Sequence, residues 1–227
     1  MTAVLFDYPK SAAFGRVLPK NKIYEHGSPS TAVKDLFVRQ VERITWQYKL
    51  APETINLSST RAVPEIQIFH IYLRTGELKE DVLRCIDQEI HFPIIFELHY
   101  EDQVKSIAAY KRPNETDSSK WVLSGYFETS WLSSGTQRTP LPIVLDLEVL
   151  YARLLSPLQP FQSRAGEGLE AFVARMELIR YRQRELEKCK SRLRKEKQFN
   201  RKVEINAELR ALKQELKNLR SLAGVTP

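Results

Sequence analysis

The chain has 227 residues, with 35 Lys or Arg against 28 Asp or Glu, a formal charge of +7, and two cysteines. That length suits one domain of moderate size plus an appendage, and two cysteines without Cys-x-x-Cys spacing exclude a disulfide framework and a thiolate zinc site. No run approaches the ~18 uncharged apolar residues of a membrane span, and the N-terminus lacks a cationic stretch followed by an apolar one, so a cytoplasmic protein with no membrane partner is expected.

Residues 6–29 hold Pro9, Gly15, Pro19, Gly27 and Pro29 among Lys10, Arg16, Lys20 and Lys22, a composition that favours extended and turn conformations over helix and predicts an ordered arm or a loop-rich cap. Ser28 and Ser30 are candidate N-caps of a helix to about Tyr48, with Val33, Leu36, Phe37, Val41, Ile44 and Tyr48 as its apolar stripe. The β-branched and aromatic density from Val63 to Leu73 predicts a strand. Leu78, Val82, Cys85, Ile86 and Ile90 predict a helix, with Thr75 as its cap, and Phe92 to Tyr100 a second strand. A crossover of that length implies a parallel, right-handed βαβ unit. Val104 to Lys111 then reads as a hairpin partner and Trp121 to Trp131 as a further strand, with polar loops at 114–120 and 132–142. A third helix is expected from Ile143 to Leu155, and Pro157, Pro160 and the 161–167 linker mark a domain boundary.

Residues 168–224 form the most one-sided segment. Gly168 to Leu219 contains no Pro and no internal Gly, so it should be helical nearly throughout. Met176, Ile179, Leu186 and Leu193 fall on one seam, and Ile205, Leu209, Leu212, Leu216 and Leu219 on another. The two are out of phase, and the break lies within Lys195 to Ile205. Such a break either distorts a supercoil or marks the tip of a helical hairpin. The second seam is the expected oligomer or partner interface. The charge is concentrated in the same segment: Arg180, Arg182, Arg184, Lys188, Lys190, Arg192, Arg194, Lys195, Lys197, Arg201 and Lys202 face only Glu185, Glu187 and Glu196, a local +8 against +7 for the whole chain. Like charges at this density repel unless an anion neutralises them, so these eleven residues are the expected nucleic-acid contacts.

Familiar catalytic signatures are absent. There is no Gly-rich phosphate loop, no His-Glu-x-x-His and no Gly-x-Ser-x-Gly. The four histidines at 26, 70, 91 and 99 lack metal-ligand spacing, so no cofactor and no metal are expected. A nuclease alternative would use Glu65 and Glu97 on neighbouring strands with Lys111, although neither carboxylate is followed two residues on by the usual lysine. Trp46, Trp121 and Trp131 could stack bases but fit core packing better.

Leu18-Pro-Lys-Asn-Lys-Ile-Tyr24, Trp46-Gln-Tyr-Lys-Leu50, Thr54-Ile-Asn-Leu57, Val63-Pro-Glu-Ile-Gln-Ile-Phe69, Ala108-Ala-Tyr-Lys111 and Lys197-Gln-Phe-Asn-Arg-Lys-Val203 resemble an uncharacterised prokaryotic family, domain of unknown function 4391, associated with restriction-like defence gene clusters. The resemblance implies a place beside a helicase or a DNA methyltransferase and carries no catalytic residues. The expected fold is α+β, an α/β-like body with a small mixed sheet and flanking helices over residues 1–160, plus a long C-terminal helical hairpin or coiled-coil arm. The expected function is that of a non-catalytic accessory or adaptor protein, with the helicase or methyltransferase and DNA as partners. The metal-dependent nuclease and a structural homo-oligomer joined through the arm are the alternatives.

Overall fold

The computed structural model describes residues 4–114, 116–117 and 120–221, for His26 the backbone only. It divides into two units, residues 1–159 and 160–227. The first unit runs β1 (Phe6–Asp7), β2 (Ala13–Val17), α1 (Lys20–Gly27), α2 (Thr31–Gln40), β3 (Val41–Leu50), a single turn α3 (Pro52–Ile55), β4 (Ile66–Leu73), α4 (Glu80–Glu89), β5 (Ile94–Tyr100), β6 (Gln103–Pro113), β7 (Trp121–Glu128), β8 (Leu132–Ser133), β9 (Thr139–Pro140) and α5 (Leu147–Leu155). The second consists of α6 (Leu169–Lys195) and α7 (Phe199–Arg220).

A seven-stranded mixed sheet in the order β2-β3-β4-β5-β6-β7, with β8 beside β6, organises the first unit. β4 and β5 are parallel and joined through α4, whereas the other neighbours are antiparallel. Alternation along the strands sends Phe69, Ile71, Phe96, Leu98, Ile107 and Ala109 to one face, where Phe37 of α2 and Val82, Leu83 and Ile86 of α4 cover them. Full burial of each of these Phe, Ile, Leu and Val side chains contributes about 1.5–3 kcal/mol. On the other face Leu150, Tyr151, Leu154 and Leu155 of α5 are buried, and the Tyr151 ring stacks with Tyr110 at 6.1 Å. The Tyr151 hydroxyl donates to Ala109 O and accepts from Lys111 N, filling the bulge that shifts β6 register at this point. A separate pair of short strands, β1 and β9, lies parallel.

Several expectations need correction. Residues 6–29 carry β1, a 3₁₀ turn at Lys10–Ala12, β2 and α1 instead of a loop-rich cap. Pro9 and Pro19 stand as the residues just before helical turns, where a missing N–H is harmless. The helix capped by Ser30, whose hydroxyl accepts from Val33 N, ends at Gln40, and Val41 to Leu50 is a strand. The next helix starts after Lys79, while Thr75 donates to Glu77 O and caps nothing. The third begins at Leu147, where Asp146 accepts from Val149 N at 2.8 Å, and leaves Ile143 fully exposed outside it. The loop expected over 132–142 contains β8 and β9. Residues 222–224 of the expected arm lie outside the described residues.

The second unit is a helical hairpin that turns at residues 196–198. Cys189, Leu209 and Leu212 are buried together, and Leu186, Leu193 and Ile205 pack on them. The open end is tied by arginines: Arg164 donates to the carbonyls of Asn218, Leu219 and Ser221 at the end of α7. Arg175, 7 % exposed, pairs with Glu167 at 2.6 Å and donates to Leu219 O. Guanidinium groups on helix-terminal carbonyls satisfy orphan acceptors and oppose the helix dipole. Arg175→Met should therefore destabilise the hairpin by about 2 kcal/mol, read as an earlier loss of helical circular dichroism on heating; an unchanged melt would deny the tie its role. Among the described residues no helix is long and apolar enough to cross a membrane.

Candidate functional site

The parallel register of β4 and β5 places His70 opposite Glu97 and Tyr72 opposite His99. Strand alternation turns His70, Glu97 and His99 to the face away from α4, and their ligand-capable atoms all lie within 4.8 Å of one another. Glu97 is 1 % exposed and is clamped by Arg138, on the loop that joins β8 to β9, which donates to Oε1 at 2.9 Å and Oε2 at 2.7 Å. The same guanidinium donates to Phe6 O, fixing it to β1.

Burial alone would raise the Glu97 carboxyl, but His70 and the Arg138 pair outweigh it and hold the group at about 2. Burial lowers His99 to about 4, with the adjacent His70 acting in the same direction and Glu97 against it. His99 is therefore neutral near pH 7. Aromatic rings surround the cluster: Tyr72 stacks on His99 at 4.9 Å, the His99 and His70 rings lie 4.6 Å apart and tilted by 44°, and Tyr48 meets His70 edge-on. Arg43 lies over the outer face of Tyr72 at 4.1 Å.

The expected grouping of Glu65, Glu97 and Lys111 does not form. Glu65 pairs with Lys49 at 3.3 Å and accepts from the Gln67 amide. Lys111 points to the opposite face, where it meets α4: its ammonium donates to the Asp87 and Ile90 carbonyls and lies 3.2 Å from the Asp87 carboxylate. Tyr126 donates to the other Asp87 oxygen at 2.6 Å. Burial pushes Asp87 up and Lys111 down from their ordinary values, with each partner's charge opposing the change. The lysine thus closes the end of α4 and has no access to Glu97. The histidines, which lack ligand spacing along the chain, are the residues that join Glu97 instead.

Of the hairpin cations, Arg182 pairs with Glu215 at 2.8 Å and Arg192 with Glu208 at 2.5 Å, both across the two helices. Lys188 and Lys190 pair with Glu185 and Glu187 along α6, and Arg180 is half-buried. Arg184, Arg194, Lys195, Lys197, Arg201 and Lys202 are exposed and make no ion pair among the described residues. Five of these six lie in or beside the 196–198 turn. There Glu196 accepts from the backbone of Lys197 and Gln198, and Phe199 and Val203 are 77 % and 54 % exposed. Leu209, Leu212 and Leu216 of the expected interface seam are buried within this chain, with Ile205 and Leu219 half-buried. In the hairpin that seam already has its partner in α6.

A family model described as domain of unknown function (DUF4391) matches residues 6–216. No curated protein and no solved structure matches the chain.

Proposed function

The chain belongs to the family described as domain of unknown function (DUF4391), and on that premise we propose that it is a non-catalytic accessory protein of a DNA-processing, restriction-like defence assembly, binding nucleic-acid phosphates at the tip of its helical hairpin. The observation that carries this reading is the tip itself. Arg194, Lys195, Lys197, Arg201 and Lys202 gather within nine residues and form no ion pair within 4 Å among the described residues, with only the Glu196 carboxylate near Arg201 and Lys202, while Arg182, Lys188, Lys190 and Arg192 farther down the hairpin are paired. Arg194 and Lys195 in the last turn of α6 suit its dipole, but Lys197, Arg201 and Lys202 sit at the start of α7, where the dipole disfavours them and favours an anion. An external phosphate relieves that conflict. The exposed Phe199 gives the same tip an apolar contact point. The first unit serves in this reading as the platform that docks on a helicase or methyltransferase, in the cytoplasm, where the two free thiols Cys85 and Cys189 stay reduced.

Fluorescence anisotropy with a short duplex over a salt series tests the tip. Affinity should fall linearly in log salt, and replacing Lys195, Lys197, Arg201 and Lys202 by Gln should flatten that slope by about one unit for every phosphate left without its cation. Absent binding, or binding indifferent to salt and to the four substitutions, would remove the nucleic-acid role.

A further inference from the structure

We infer that His70, Glu97 and His99 form a binding site for a divalent transition ion of the zinc class. The Nε2 atoms of both histidines are buried and have no hydrogen-bond partner, although each lies near the same carboxylate oxygen: His70 at 3.3 Å and His99 at 3.9 Å from Glu97 Oε2. Two buried imidazole nitrogens left unbonded around one anionic oxygen is an unfavourable arrangement, since each forfeits the hydrogen bond it would make in water. A shared cation resolves it. Ligands held at ~2.0–2.1 Å by a tetrahedral ion stand about 3.3 Å apart, so separations of 3.3 and 3.9 Å, with all three donors within 4.8 Å of one another, close onto a metal through small rotations of the two rings.

Two imidazoles and one carboxylate suit zinc, iron(II), cobalt(II) or nickel(II), while magnesium, which prefers an all-oxygen shell, is a poor match. Three protein donors leave coordination positions for water or another ligand, the arrangement of an open site and not of a sealed structural one. His70 and His99 keep 12 % and 19 % of their side chains exposed while their Nε2 atoms are buried, so an ion enters as the partly exposed rings turn. Arg138 orients Glu97 as an outer partner would. Its charge also opposes the ion, which makes the site weaker than one whose carboxylate is free.

The chain as it stands, titrated calorimetrically with zinc chloride, should take up one ion per molecule, and cobalt(II) should give visible ligand-field bands. His70→Gln and His99→Gln should each weaken uptake roughly ten-fold or more, with the far-UV circular dichroism unchanged, whereas His91→Gln, at an exposed position, should leave it intact. On the unsubstituted chain, zinc should shift two histidine ring spectra by nuclear magnetic resonance. No uptake, uptake that survives both substitutions, uptake lost with His91, or a shift of neither buried ring would each overturn the assignment.

Discussion

Lys111→Met should cost the first unit about 3–5 kcal/mol of folding stability, the loss expected when one partner of a buried ion pair is removed. Lys111 and Asp87 are each 2 % exposed, so water cannot replace the lost ammonium. The substitution also strips a donor from the Asp87 and Ile90 carbonyls at the end of α4, where no continuing turn of helix takes its place. The carboxylate that remains is already pushed up by burial, and without Lys111 it rises further. A folded-state value above the unfolded one, about 3.9, means the folded variant holds a proton that the unfolded chain releases, so its stability declines as pH rises through that window. The deficit against the unsubstituted chain should therefore be larger at pH 7 than at pH 5 in urea unfolding. Adding Asp87→Asn, which keeps an acceptor for Tyr126, should recover part of it, with a coupling of about 1 kcal/mol or more. A pH-independent deficit, or strict additivity, would mean that the pair contributes packing alone.

Arg138→Met is expected to have the next largest effect, about 3 kcal/mol, near the lower end because the arginine keeps 28 % of its side chain exposed. It leaves Glu97 buried without its guanidinium partner and releases Phe6 O, so β1 loses one of its ties to the sheet. In this variant added zinc ions should raise the melting temperature by more than they raise that of the unsubstituted chain, since the metal supplies the missing positive charge without competing with a guanidinium. An equal shift in the two proteins would separate the arginine from the metal site and leave it a purely structural clamp.

The parts of this fold that can be read from the chain are those in which local pattern and tertiary role agree. From Ile66 to Tyr100 two apolar strands flank a helix with one oily side, and the parallel β4-α4-β5 unit follows. The hairpin announces itself through the phase break between its two seams, which falls within a few residues of the 196–198 turn. β3 misleads for a definable reason. Its register shifts twice, between Val41 and Arg43 and between Trp46 and Tyr48, and each bulge inserts a residue. The two-residue alternation of a strand becomes a three-and-four spacing that imitates a helix. In residues 6–29 the prolines suggest irregular chain, but they sit where a helical turn accepts them.

The candidate ion site is half visible. Glu97 stands out as a carboxylate in an apolar strand, whereas His70 lies 27 positions earlier and comes to it only through the β4–β5 pairing. Chain spacing holds no trace of that, because ligand motifs are recognisable along a sequence only when one helix or turn supplies them. Arg138, on a loop between two-residue strands, offers no signal at all.

Strand β2 bounds the sheet on one side. It is exposed at every position, spans only five residues, and its pairing slips between Ala13 and Arg16 around Gly15, whose φ of +64° is costly for other residues. A margin so brief and so twisted is a poor template for a stranger's backbone. Copies of this protein should therefore not pair through this margin, and straightening it at that glycine is where such stickiness would be engineered in on this side of the sheet.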